Sequence, residues 1–175
     1  MTSKLKTDVL ETVSGSGTIA LTNQLSGMTY ESMAAGSVIQ VVTNSHTQSS
    51  SVSTSSTSYV ALGSAFELAI TPKYANSLII CEIHLGMQWN NTASSALVST
   101  ITKAGSVMNS VLYGSAYNRV NGSGYYGSVS LREFDVAGGT SAITYGMSFF
   151  SNHSTSVSGY FQNSAYNITL TEIKQ

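Results

Sequence analysis

Ser77-Leu-Ile-Ile-Cys-Glu-Ile-His-Leu-Gly-Met87 is the most informative stretch of this sequence. Alternate side chains of a strand point to opposite sides. Ile79, Cys81, Ile83, Leu85 and Met87 therefore form one wholly apolar face, and Leu78, Ile80, Glu82 and His84 form the other. A helical reading would scatter these residues round a cylinder. The period of two predicts a strand buried on one side.

The same pattern recurs along the chain. Short runs of β-branched and aromatic residues end in Gly, Ser or Asn breaks, and helical periodicity is nearly absent. Strands are expected near 37–43, 57–62, 65–71, 77–87, 96–102, 107–113, 125–134, 141–150, 157–162 and 166–173. Ile143, Tyr145, Met147 and Phe149 face one way, with Ala142, Thr144, Gly146 and Ser148 behind them. Phe66, Leu68 and Ile70 alternate with Glu67, Ala69 and Thr71. Ten short strands at this spacing predict an all-β fold, an antiparallel, jelly-roll-like β-sandwich. QSSSVSTSSTS (48–58) reads as a long surface loop inside that domain.

Residues 1–36 differ from the rest. Val9, Val13, Ile19 and Leu21 punctuate an extended segment with too few apolar positions for a core of its own. An isolated hairpin is marginal in water, so the segment is expected to serve as an attachment and oligomerisation arm. The head domain then covers residues 37–175.

Composition narrows the function. Only 9% of the 175 residues are charged and the net charge is −1, against about 25% charged in ordinary domains. Ser and Thr together make up about three residues in ten. Seven scattered Lys and Arg cannot form a phosphate-tracking stripe, so no nucleic-acid partner is expected. No secretory signal is read, and no apolar run reaches the roughly 18 residues of a membrane span. Cys81 is the only cysteine, which excludes a disulfide within one chain and predicts a small core hydrophobe.

Catalytic constellations are weak. GSGTIA (15–20) matches a dinucleotide-binding fingerprint in letters, but no amphipathic helix follows it. Glu133 and Asp135 could share a strand face as a carboxyl pair, yet Asp135 precedes AGGTSA and is expected to cap that turn. No G-x-S-x-G elbow is present. His46, His84 and His153 lack metal-ligand spacing. No enzyme activity, metal or cofactor is expected. Receptor contact has more support: Trp89, Asn90 and Asn91, with Tyr117, Arg119, Tyr125 and Tyr126, offer the aromatic faces and amides of a glycan site. Their alternative use is packing at subunit contacts.

The arm SKLKTDVLETVSGSGTIALTNQ, the stretch AAGSVIQVV and the closing ITLTEI together resemble the small tail-fibre-like virion proteins of marine and cyanobacterial phages. TSYVALGSAFELAITPKYANSLIIC and REFDVAGGTSAITYGMSF fit the same pattern, so the resemblance spans nearly the whole chain. Ala35 and Ala137 stand where that group often has proline. The resemblance implies a virion location and a homotrimeric fibre or tail-appendage subunit. The arm would bind other virion proteins and the head would contact host-surface glycan. A capsid-attached head fibre or decoration protein is the alternative address, and a glycan-binding or glycan-degrading module the alternative class.

Overall fold

The computed structural model describes residues 29–48, 52–110, 116–152, 157–160 and 164–175, with 48, 87–95, 117–126, 157–160 and 164 described by backbone pairing alone. The chain divides into two compact units, Met1–Met33 and Ala34–Gln175. The arm residues Val9, Val13, Ile19 and Leu21, and the GSGTIA stretch, lie outside the described residues. In the first unit the described part is a single 3-10 turn, Tyr30–Ser32.

The second unit is built from strands β1 (Val38–Gln48), β2 (Val52–Thr54), β3 (Val60–Ala61), β4 (Leu68–Ile70), β5 (Leu78–Lys103), β6 (Ser106–Val107), β7 (Ala116–Val136), β8 (Ile143–Ser151), β9 (Val157–Tyr160) and β10 (Ser164–Ile173). Every described pair is antiparallel. The hydrogen-bonded path runs β1-β10-β5-β8-β3, with β7 on the other edge of β5.

β5 organises this arrangement. Its 26 residues would extend about 85 Å if straight, at roughly 3.3 Å per residue. A domain of this size is less than half as wide, so the strand must curve. The ladder with β7 breaks where Asn91 and Ser95 pair with Gly122 and Val120. There Thr92, Ala93 and Ser94 oppose Asn121 alone, an excess that bends a strand. Before this break β5 lies between β10 and β7; after it, Leu97–Lys103 lies beside β8. One strand thus serves both layers of a sandwich-like fold.

The inner faces follow the expected alternation. Ile79, Cys81, Ile83 and Leu85 of β5 meet Tyr166, Ile168 and Leu170 of β10, and Tyr145, Met147 and Phe149 of β8 join the same core. Each large buried side chain contributes roughly 1.5–3 kcal/mol. Burial pushes the Cys81 thiol up to about 12, with Glu133 and Glu82 adding to the shift. The thiol therefore stays protonated and acts as a core hydrophobe.

Several boundaries differ from expectation. The runs at 77–87 and 96–102 are one strand, because the polar residues between them still pair with β7. The stretch at 65–71 begins as a 3-10 turn, Ser64–Phe66, before β4. Nor is 48–58 wholly loop, since Val52–Thr54 pairs with β9. The small face of β8 is covered, not open: Gly146 and Ser148 are buried. A Cβ on Gly146 would stand 2.9 Å from Glu67 Cγ. Small residues there admit the glutamate stem.

Asp135 also departs from its expected part. It does not cap the turn; its carboxylate accepts the Tyr145 hydroxyl at 2.5 Å and pairs with Lys103 Nζ at 2.6 Å. The turn is held instead by Ala137 N–H to Ser77 O and Gly138 N–H to Ala75 O. Burial first, then Asp135, pushes the Tyr145 hydroxyl well above its ordinary range. Tyr145→Phe is expected to cost about 1 kcal/mol, read as a shift in urea midpoint. The same change in an Asp135→Asn background should cost measurably less.

Candidate functional site

The outer face of the β1-β10-β5-β7 layer is the best-defined surface. Cross-strand register sets it out in rows. Ser45, Asn167, His84 and Ser130 form one row. Thr43, Thr169, Glu82 and Arg132 form the next. His84 Nδ1 lies 2.9 Å from Ser130 Oγ, and Arg132 Nε lies 3.4 Å from Glu82 Oε1. Both pairs are exposed, so the ion pair is worth little to stability. Glu82, His84, Ser130, Arg132, Asn167 and Thr169 line a shallow depression of about 360 Å³.

Hydroxyls, amides and one imidazole on a rigid ladder can hydrogen-bond a polyhydroxylated ligand. His84 and Ser130 are solvent-facing, and among the described residues no buried acid is hydrogen-bonded to the ring. Of the other histidines, the His46 ring packs edge-on against Phe66 at 5.1 Å between centroids, and His153 lies outside the described residues. Among the described residues there is no group of three or more His, Cys, Asp or Glu able to hold a metal ion.

The candidate receptor residues lie further along the same β5–β7 hairpin. Trp89 pairs with Tyr125, Gln88 with Tyr126, Asn90 with Ser123 and Asn91 with Gly122. Two stretches more than thirty residues apart in sequence thus converge on one segment. Arg119 and Tyr117, paired with Ala96 and Val98, lie beyond the break and belong to the other half of the hairpin. The candidate set is therefore two clusters, not one.

The next two rows of the outer face change character in a way that composition hides. Val41, Thr171, Ile80 and Phe134 form one, and Val38, Ile173, Leu78 and Val136 the other. Phe134 and Val136 are each 57% exposed, Val41 55% and Val38 50%. The signal is present in REFDV, where alternation puts Phe134 and Val136 on the outward face with Arg132.

On the opposite face of β10, Glu172 is fully buried. It accepts Gln40 Nε2 at 2.6 Å and the backbone N–H groups of Lys73 at 2.8 Å and Tyr74 at 3.3 Å. Burial alone would raise this carboxyl. The hydrogen bonds outweigh burial and hold it below its ordinary range. The buried Ser77 hydroxyl adds to that pull without closing a bond of full geometry. Glu172 is a structural clamp on the 71–77 loop, signalled in sequence only by an acid at the inward position of Tyr166, Ile168 and Leu170.

The chain matches no protein-family model and no curated protein.

Proposed function

We propose that this chain is a non-enzymatic structural subunit of a phage particle, a fibre or tail-appendage protein that assembles as a homotrimer. Its sandwich is jelly-roll-like, its N-terminal segment attaches it to other virion proteins, and its head contacts host-surface glycan. The observation that carries the contact surface is the register pairing of Trp89 with Tyr125 and of Asn90 and Asn91 with Ser123 and Gly122. Aromatic residues together with amides are the chemistry that reads sugars, through ring faces and hydroxyl partners. The resemblance to small tail-fibre-like virion proteins supports the address.

Two experiments test this reading. Gold-labelled antibody to the head should decorate intact particles at the tail or its appendages; labelling absent from particles contradicts the virion assignment. Purified head protein should bind host cells, and Trp89→Ala should weaken that binding at least tenfold while leaving the thermal midpoint within a few degrees. Unchanged binding removes the hairpin as the contact surface.

A further inference from the structure

We propose that the apolar rows on the outer sheet face, formed by Val38, Val41, Leu78, Phe134, Val136 and Ile173, are where copies of this chain meet one another. The proposal rests on the homotrimer reading above and names its surface.

Four of these side chains are half exposed or more, and the ladder makes them neighbours across β1, β10, β5 and β7. Together they present roughly a few hundred Å² of contiguous apolar surface, the size at which a patch marks an interaction site. No charged residue interrupts the two rows. Of the cations beside them, Lys103 Nζ donates to Val136 O at 3.2 Å and pairs with Asp135, while Arg132 is engaged by Glu82 and lies 5.0 Å over the Phe134 ring. Lys174 stands 5.6 Å from the Tyr74 ring. These cations already have acidic or aromatic partners, so the apolar rows favour an uncharged partner over nucleic acid or an acidic headgroup.

An uncharged apolar partner fits, and a second copy brings that chemistry. With a net charge of −1, copies approach without appreciable repulsion. Stable interfaces bury about 800 Å² per partner, more than the apolar rows supply. The adjoining row of Thr43, Thr169, Glu82 and Arg132 and the row of Ser45, Asn167, His84 and Ser130 complete the area as a polar rim round an apolar centre. Three copies can turn these faces toward one axis.

The test uses the full chain. Cys81 is buried, so a new surface cysteine is the reactive thiol. Val136→Cys should be joined into covalent dimers by a short bismaleimide, whereas Val60→Cys, on β3 of the other layer, should not. Phe134→Glu should keep its circular dichroism spectrum and fall threefold in mass by light scattering. If Phe134→Glu fails to fold, the Val136→Cys cross-link decides alone. A wild-type oligomer with no Val136→Cys cross-link overturns the proposed surface and leaves the homotrimer standing. A wild-type monomer overturns the homotrimer, and the surface with it.

Discussion

Tyr166→Ala is expected to destabilise the head by about 3–5 kcal/mol, the range for deleting a buried aromatic side chain. Tyr166 is fully buried and pairs with Leu85 across β10 and β5. Its ring packs edge-on against Phe66, with centroids 5.0 Å apart, and its hydroxyl donates to Phe66 O at 2.7 Å. That one side chain holds the 3-10 turn before β4 onto the β10 ladder. Alanine leaves a cavity and removes the hydroxyl that donates to Phe66 O. Domains of this kind have about 5–15 kcal/mol in all, so the variant should melt far earlier. Tyr166→Phe isolates the hydrogen bond and should cost about 1–2 kcal/mol. Urea unfolding followed by fluorescence measures both. An alanine variant within about 1 kcal/mol of wild type contradicts the packing described.

The second large effect belongs to Glu172. Glu172→Leu removes the acceptor of two backbone N–H groups and of Gln40. Each hydrogen bond to a charged group is worth about 1.5–3 kcal/mol, and these are only part-buried, so a loss on the order of 3 kcal/mol is expected. Glu172→Gln should cost only about 1 kcal/mol, because the Gln40 amide can turn its oxygen toward the new donor. The pH dependence follows from the direction of the shift. A carboxyl held lower in the folded state than in the unfolded chain stabilises fully above its unfolded value. That contribution is lost as pH falls from about 4.5 through the lower folded value. Wild type should therefore lose stability on acidification through this window, and Glu172→Gln should lose less. Equal slopes for the two proteins contradict the clamp.

Much of the fold is legible in the sequence because alternation is a local property. Alternation alone puts Ile79, Cys81, Ile83 and Leu85 on one face, and these four line the core. Tyr145, Met147 and Phe149 obey the same rule. The continuity of β5 is not legible, since the polar run from Gln88 to Ser95 carries no apolar period and is held by its pairing with β7 and β9. The covered small face of β8 is hidden for a related reason: what covers Gly146 is the stem of Glu67, a charged residue by composition. Asp135 misleads because a turn-capping Asp and an inward-reaching Asp look alike in sequence. Only the register that brings Tyr145 and Lys103 together separates them.

The candidate site divides along the same line. Residue types suited to glycan contact can be named from sequence, but their convergence depends on the non-local β5–β7 register. That register brings Trp89 to Tyr125 and leaves Tyr117 and Arg119 on the far side of the break. The apolar outer rows escape a strand-by-strand reading, since no single strand contains them. Val38 and Val41, Phe134 and Val136 are far apart in the head sequence and become neighbours only when four strands are laid side by side.

Self-assembly is the central claim, and the mass of the intact chain in solution tests it most directly. Light scattering at micromolar concentration should return three times the 18.4 kDa of one chain. A particle of 18.4 kDa that stays so across that range contradicts the account.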